Sequence, residues 1–373
     1  MIVNRQYIID RIAYFSSSEQ DVCIQNLKKA NQLAQIKFGL PIWIRKLFFH
    51  PCNPAYFIWK NYAYYKQGKK TDRTPYTRTP FVTDFITYCL QNDFSLDTAK
   101  FFTNQDDQII AHIDARVKSF LTGFEKDKAN EKQMQIRKEQ NIAFKRKVKH
   151  KKNSYQLQEE NNTFYLLQND FDFHTFELKY GLIELSKESL ISIEGKDILD
   201  IGAYHGASSV MFLQFNPRAI YAYEPVSANR AILLQNAKLN NAKRIIVEGK
   251  ALGDVTSTMS ISCNDMAATL VPQLQTANKV ENVEVLRLDD ECKNRNVGLI
   301  KMDVEGFEYN VIKGGLETIK RDRPILLISA YHTGKDFFEI MPLVHTVCPE
   351  YKFKYVDMEP TVAIAEKLII GYV

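Results

Sequence analysis

Short apolar runs of strand length alternate with segments of helical spacing from Lys196 onward. The strand-like runs are 197–201, 219–223, 245–249, 298–303 and 325–330. Helical spacing between them is clearest at 206–215 and 227–240, and two later runs, 352–357 and 367–372, are predicted to form an antiparallel pair. Because strands that alternate with helices usually form a parallel sheet with both faces covered, we expect an α/β domain.

The first 150 residues have a different pattern. Helical spacing is present in residues 1–37 and again in 81–124, and residues 38–65 between them contain ten aromatic side chains. Residues 125–152 carry many charges and few apolar anchors, which is typical of a solvated helix or a tether. This region is therefore predicted to be mainly α-helical.

Charge divides the chain at the same place. Residues 1–152 contain 27 Lys and Arg against 14 Asp and Glu, a balance of +13, whereas the remainder contains 22 against 30, a balance of −8. We predict two domains, a basic, aromatic-rich helical domain at 1–152 and an α/β domain at 153–373 that opens with a small β element.

The bulk composition indicates a globular protein, with 45% hydrophobic and 25% charged residues. No apolar run is long enough to span a membrane, and the N-terminus does not resemble a signal peptide. The six cysteines are far apart and include no C-x-x-C pair. We therefore expect a cytoplasmic protein, or one peripheral to the inner face of the membrane, without a disulfide framework.

A glycine turn follows the first strand of the α/β pattern, in the stretch "ILDIGAYHGASS". Ligands of such sheets bind at the carboxyl ends of the strands, and glycine permits a ligand to approach the backbone closely. The turn is G-x-x-x-G, from Gly202 to Gly206, rather than the G-x-G-x-x-G of dinucleotide sites. It favours S-adenosylmethionine (SAM), because Asp200 could orient the amine of the methionine end directly or through water.

Glu224 lies at the tip of the second strand, 24 residues after Asp200. A carboxylate there can accept hydrogen bonds from two ribose hydroxyls, an arrangement that NAD and SAM enzymes share. A third group, "IKMDVEGFE", places Asp303 at the end of the fourth strand with Glu305 and Glu308 close behind. Glu308 is expected to cap and charge the next helix instead of acting in a site.

With these residues the chain from about 155 to 373 resembles the FkbM family of SAM-dependent methyltransferases. The matching pieces are "LDIGAYHG", "YAYEPVSAN", "ALGD", "LRLDDE", "IKMDVEGFEYNVIKGG" and "RPILLISAYH". The resemblance implies a class I, Rossmann-like methyltransferase with a mostly parallel seven-stranded sheet. It also implies O-methylation, often of a sugar hydroxyl in a glycan or of a natural product.

The resemblance also implies roles for individual residues. Asp200, Gly202 and Gly206 would surround the methionine part of SAM, with Tyr204 in the same turn, where the family commonly has Asn. Glu224 would bind the ribose. The adenine would lie along Ala251 and Leu252, and Asp303 would line the methyl-transfer site.

Methyl transfer from a sulfonium is an in-line displacement, and a sugar hydroxyl benefits from a general base. His332 after the fifth strand is the first candidate, with Asp303 and Glu305 as alternatives. Ser329, Tyr331 and His332 resemble a subgroup of the family that ends this strand in S-x-Y-H. No metal-ligand spacing stands out, so a divalent metal at Asp303 is not favoured.

Three readings of the N-terminal region remain open. Its aromatics, Trp43 and Trp59 included, could form a helical core; with the Lys and Arg residues they could meet an anionic membrane or a lipid-linked glycan; or they could bind nucleic acid, which would make the protein a nucleic-acid methyltransferase. A rival reading of the whole chain is a non-catalytic binding protein on a methyltransferase fold. A homodimer is compatible with all of them.

Overall fold

The computed structural model describes residues 1–18, 79–122, 131–159, 161–263, 268–271, 279–362 and 364–373. The described chain forms two compact units. The first consists of the described residues up to Glu131 together with Tyr331–Phe338 and Val362–Ala365, and the second consists of the other described residues. The aromatic stretch 38–65, with Trp43 and Trp59, lies outside the described residues, and so do the readings that depend on it.

The first unit contains four helices within its described N-terminal part, as the helical pattern predicts. They are α1 (Arg5–Ser18), α2 (Thr79–Gln91), α3 (Thr98–Phe101) and α4 (Asp106–Thr122). Two short strands that the sequence analysis did not predict, β1 (Ile2–Asn4) and β2 (Ser95–Asp97), pair antiparallel. Their side chains alternate, with Val3 and Leu96 fully buried, so three residues in each segment suffice to hold this ribbon.

The second unit begins with the charged helix α5 (Glu131–Lys147) and three strands in antiparallel order, β3 (Val148–Lys151), β4 (Ser154–Gln158) and β5 (Thr163–Leu166). Residues 152 and 153, where the sequence changes character, form the turn between β3 and β4. Most of α5 is exposed, but Phe144 is buried in the core of the second unit. Of the two predicted alternatives, a solvated helix or a tether, the structure shows the helix, and its buried Phe144 packs in the core of the α/β unit.

The main sheet of the second unit has seven strands. In chain order they are β6 (Asp197–Ile201), β7 (Ala219–Tyr223), β8 (Ile245–Glu248), β13 (Val297–Met302), β14 (Ile325–Ile328), β15 (Lys352–Asp357) and β16 (Lys367–Tyr372). Their spatial order is β15-β16-β14-β13-β6-β7-β8. The β8–β7, β7–β6, β6–β13 and β13–β14 pairs are parallel, and β16 pairs antiparallel with both β14 and β15. The sheet is therefore mixed.

The strand predictions are confirmed within two residues at each end, and the predicted antiparallel pair 352–357 and 367–372 is confirmed. Helices pack around this sheet. They are α6 (Phe173–Phe176), α7 (Lys187–Ile191), α8 (Ala207–Phe212), α9 (Ser227–Leu239), α10 (Leu288–Glu291), α11 (Glu308–Gly314), α12 (Leu316–Asp322) and α13 (Gly334–Val347). Two 3-10 helices, Lys179–Glu184 and Leu213–Phe215, complete the described helical segments. Every residue of β6 and β13 is buried, so these two strands form the centre of the sheet.

A second sheet of four strands was not predicted. Its strands are β9 (Ala251–Gly253), β10 (Ser257–Cys263), β11 (Ala268–Thr269) and β12 (Lys279–Arg287), in the order β11-β10-β12-β9. Strands β9 and β12 pair in parallel, whereas β10 pairs antiparallel with both β11 and β12. Among the described residues, no helix combines the length and hydrophobicity that a membrane span requires.

Candidate active site

The glycine turn lies at the carboxyl end of the central strand β6. Gly202 and Gly206 both have left-handed backbone angles, with φ of 73° and 83°. A Cβ atom on Gly202 would lie 2.0 Å from the carbonyl oxygen of Asp303, and one on Gly206 would lie 2.8 Å from Leu233. The turn therefore requires glycine at both positions because of its backbone angles and because it packs closely against neighbouring chain segments.

Asp200 lies under this turn and is fully buried. Its Oδ2 accepts hydrogen bonds from the hydroxyls of Ser208, at 2.7 Å, and Ser209, at 2.5 Å. Its Oδ1 lies 3.1 Å from the ammonium of Lys301, which donates to the carbonyl of Gly202 at 2.8 Å. The carboxylate thus ties β6, helix α8 and strand β13 together, and its contacts within the protein hold the turn in shape.

Glu224 follows β7, the strand beside β6, and is 4% exposed. Its carboxylate accepts hydrogen bonds from the backbone N–H of Tyr204, at 2.9 Å, and of Val226, at 2.8 Å, with Asn229 at 3.4 Å. Burial raises the pKa of Glu224, although these three donors oppose the shift. The predicted residues Glu224 and Tyr204 are therefore in direct contact, and a carboxylate with about four acceptor positions keeps capacity for a further donor.

Ala251 and Leu252 lie on β9 in the second sheet and are buried. Ala251 packs in a small apolar cluster that includes Val226 and Val285. Since Val226 also donates to Glu224, this cluster lies beside the predicted ribose carboxylate. The assignment of Ala251 and Leu252 to the adenine stays a prediction.

Asp303 directly follows β13, the other neighbour of β6. Its Oδ2 accepts a hydrogen bond from the hydroxyl of Tyr180 at 3.0 Å, and this hydroxyl lies 3.3 Å from that of Ser329. Burial, followed by the nearby Asp303 carboxylate, raises the pKa of Tyr180 well above 10. Because the phenol stays protonated, it can hold the Asp303 carboxylate by donating to it.

The loop after Asp303 is organised by Glu308. This fully buried carboxylate accepts hydrogen bonds from the backbone N–H groups of Val304 and Gly306, each at 2.9 Å. Glu308 lies in the first turn of α11, as expected, but it makes no cap hydrogen bond to this helix, and its carboxylate instead holds the loop that precedes it. Glu305, which lies between Val304 and Gly306, has a φ of 55°. Its backbone carbonyl accepts a hydrogen bond from the hydroxyl of Thr269.

A pocket of about 340 Å³ opens at this edge of the sheet. The glycine turn, the start of α8 and Asp303 form one side, and loop 169–175 with Tyr180 forms the other. Of the predicted residues, Gly202, Tyr204 and Asp303 line it. Sequence reasoning missed loop 169–175, Tyr180 and Lys301.

Two histidines, His174 in the pocket lining and His205 in the glycine turn, approach carboxylates of the missed loop. The Nδ1 of His205 lies 2.8 Å from Asp170, and its ring stacks on Tyr204 with centroids 3.7 Å apart. The Nε2 of His174 lies 3.1 Å from Asp172 Oδ1. The stretch "NDFDFH" carries a signal for this arrangement, because its polar residues alternate with phenylalanines, but the same alternation is also typical of a β-strand.

His332, the first candidate for the general base, is counted with the first unit. It is fully buried, and its ring lies against those of Phe81 and Tyr331, at centroid distances of 5.1 and 4.0 Å. The carbonyl of Tyr331 accepts a hydrogen bond from the buried guanidinium of Arg116. The packing of His332 is thus aromatic, and its catalytic role stays a prediction.

Comparison with known proteins identifies the segment that carries the glycine turn and Asp303. Residues 200–355 match the family model described as the methyltransferase FkbM domain. The 2-O-methyltransferase NoeI of Sinorhizobium fredii is 27% identical over 156 residues, which are 36% of this chain and 63% of that protein. The chain thus spans less than two thirds of this relative.

Solved structures show a weaker likeness. The structure of methyltransferase FkbM from Methylobacillus flagellatus is 18% identical, with a TM-score of 0.44 over 74% of this chain and 56% of that one. M. jannaschii TYW2, solved in complex with AdoMet, is 11% identical, with a TM-score of 0.32 over 60% of this chain and 87% of that one. The glycine turn, the acidic residues beside it and the match to the family model identify residues 200–355 as a methyltransferase domain of the FkbM family.

Proposed function

We propose that this protein is a SAM-dependent methyltransferase that methylates a hydroxyl oxygen of a sugar, a glycan or a natural product. The observation that carries the proposal is the meeting of three strand ends within an FkbM methyltransferase domain. Strands β7 and β13 flank β6 in parallel, so Glu224, the glycine turn and Asp303 lie at the same edge of the sheet.

The residues at this edge fit the chemistry of SAM, which supplies an activated methyl group when bound. Glu224 combines deep burial with unused acceptor capacity, as recognition of ribose hydroxyls requires. The pocket wall carries the carboxylates of Asp170, Asp172 and Asp303, which suit a ligand with a positive sulfonium and a positive amine. Gly202 lines the pocket with its backbone.

Transfer to a hydroxyl requires that the acceptor oxygen be aligned and that its proton be removed. Among the three candidate bases, Asp303 lines the pocket, and Tyr180 fixes its carboxylate. We therefore propose Asp303 as the residue nearest the transferred methyl. His332 and Glu305 remain candidates for proton removal.

The acceptor class rests on the family and on the 2-O-methyltransferase relative, whose name describes methylation of an oxygen. We propose a carbohydrate hydroxyl as the acceptor because the resemblance to the FkbM family implies it. The basic region at residues 145–152, "KRKVKHKK", keeps nucleic acid as a second acceptor class to be included in any assay.

Calorimetric titration with SAM and S-adenosylhomocysteine (SAH) tests the cofactor. We expect micromolar binding by the wild type and at least tenfold weaker binding by Glu224→Gln, because the neutral amide loses charge-assisted acceptance from the ribose. Circular dichroism and thermal melting show whether the variant folds, since Glu224 also holds the backbone of Tyr204.

Methyl transfer is then measured with methyl-labelled SAM on a panel of methyl glycosides and on tRNA. Label in the glycosides, lost in Asp303→Asn, supports the proposal. Label in tRNA alone would replace the acceptor class, and absence of SAM and SAH binding would overturn the proposed function.

A further inference from the structure

One wall of the pocket is built from loop 169–172 and the short helix α6 that follows it. Phe171 is 4% exposed and packs against Phe176 with ring centroids 4.7 Å apart, and Asp170, Asp172 and His174 line the pocket beside it. Asp172 also caps α6 by accepting a hydrogen bond from Thr175 N–H at 2.6 Å. The cap fixes the short helix that carries His174, so the carboxylate and the imidazole form one rigid pair.

Two other basic side chains, one in the pocket lining and one in the glycine turn, are engaged with protein partners. The ammonium of Lys301 donates to Gly202 and pairs with Asp200, and its side chain is 4% exposed. His205 pairs with Asp170 and has a side chain 7% exposed. His174 differs from both, because 23% of its side chain is exposed.

A histidine beside one carboxylate keeps a second N–H when it is protonated, since an imidazolium has two donors. Asp172 lies at Nε2, so the second donor of His174 can serve an anion. Asp172 is 36% exposed and can still accept a hydrogen bond from a cation. A cation and an anion held 3.1 Å apart match the ammonium and carboxylate of an amino acid, whose charges are also neighbours.

We propose that the Asp172–His174 pair binds the amino-acid end of the cofactor, with His174 on the carboxylate and Asp172 on the ammonium. The inference rests on the proposed function, and it gives the amine a partner other than the enclosed Asp200. It adds a recognition element that lies before the family-matched segment 200–355.

The charges around His174 favour its protonated form. Burial lowers the pKa of His174, but the Asp172, Glu366, Glu359 and Asp303 carboxylates outweigh burial, so the pKa lies above 6.5. The ring of Tyr180 also faces it, with centroids 6.4 Å apart. The imidazolium is therefore present below this raised pKa and is lost as pH rises through it, and ligand carboxylate binding should follow the same course.

Two ligands distinguish the binding of the amino-acid end by Asp172 and His174 from a general effect of the substitutions on the pocket. SAH carries the amino-acid end, whereas 5′-methylthioadenosine has the same thioadenosine without the amine or the carboxylate. Calorimetry at pH 6.0 and 8.5 would compare the wild type, His174→Gln and the control His150→Gln, whose histidine is exposed on β3.

We expect His174→Gln to weaken SAH binding by about 10- to 100-fold at pH 6.0 and to leave 5′-methylthioadenosine unchanged. The affinity for SAH should fall when the pH is raised from 6.0 to 8.5, and this fall should be larger for the wild type than for His174→Gln. The amine of SAH titrates identically with both proteins, so the difference reports the imidazole. Asp172→Asn, which retains a capping oxygen, should weaken SAH binding and move the pH midpoint down.

The inference is overturned if SAH binds His174→Gln and the wild type alike, or if both ligands weaken equally in a folded variant. Absence of SAH binding by the wild type would instead reject the proposed function. Unchanged melting of His174→Gln excludes loss of fold as the cause.

Discussion

Single residues around the glycine turn hold its backbone close to the neighbouring strands. Gly202 lies against the carbonyl of Asp303, and Lys301 reaches across from β13 to the carbonyl of Gly202. The sequence predicted the glycines, but Lys301 gave no signal because a lysine within an apolar strand is usually directed to solvent. Lys301 is only 3% exposed, and its charge can be buried because it pairs with Asp200 on the neighbouring strand.

Gly202→Ala should destabilise the second unit strongly, because the added methyl meets a backbone oxygen at 2.0 Å. Gly195→Ala is the matched control, since Gly195 has a similar φ of 70° but no described atom lies within 4 Å of the methyl that alanine would add. We expect about 1–2 kcal/mol from the backbone angle in the control and at least about 1 kcal/mol more in Gly202→Ala. Urea denaturation measures both, and equal losses would refute the steric argument.

Lys301→Met should lower the free energy of unfolding by about 3–5 kcal/mol, because it leaves the buried Asp200 carboxylate without its cation. The double variant with Asp200→Asn should recover part of this loss. Lys313→Met, which breaks the exposed pair with Asp254, should cost no more than about 1 kcal/mol. A double variant less stable than Lys301→Met would contradict the charge-pair explanation.

At the scale of elements, the segments between the strands carry the site. Loop 169–175 and the 3-10 helix at 179–184 bring Asp172, His174 and Tyr180 to the pocket, whereas the sequence analysis predicted only a small β element at the start of this domain. Tyr180 has a φ of 52°, a conformation that side-chain periodicity does not reveal. The sequence analysis missed the second sheet. Its strand β9 pairs with β12, more than 30 residues later in the chain, and a local sequence pattern does not predict which strands pair over such a separation.

Glu308→Ala tests how the loop 304–306 is held. Removing the carboxylate leaves the N–H groups of Val304 and Gly306 without this acceptor, so we expect a loss of about 1–3 kcal/mol in unfolding free energy. The control Glu317→Ala changes a glutamate whose side chain is 79% exposed, and it should stay within about 0.5 kcal/mol. Similar results for the two variants, measured by chemical denaturation, would show that Glu308 does not organise the loop.

For the whole molecule, the opposite charge balances of residues 1–152 and 153–373 remain a property of the sequence, while the compact units divide after Glu131. The basic helix α5 therefore belongs to the same unit as the methyltransferase domain. Any anionic partner attracted by residues 145–152 would bind this unit, whatever the segment 19–78 does.

SAH should raise the melting temperature of the second unit through linkage to its folded state. At a concentration 100 times Kd the stabilisation is about 2.7 kcal/mol. 5′-Methylthioadenosine at the same concentration should give less, because it lacks the amino-acid end. Scanning calorimetry of wild type and Glu224→Gln measures this, and an equal shift in both would exclude Glu224 from the cofactor site.

The sequence by itself determined the positions of the main strands, the glycine turn and Glu224, because strand periodicity, φ-positive glycines and strand-end carboxylates are local features. It also predicted the resemblance to the FkbM family through motifs in a fixed order, and the family model matches residues 200–355. Only the tertiary structure decided that Asp200 is enclosed by Ser208, Ser209 and Lys301, and that Asp172, His174 and Tyr180 face the pocket. The pairing of Asp200 with Lys301 and the assembly of the pocket bring together residues that are far apart in the chain, so these side chains become buried and paired only after folding.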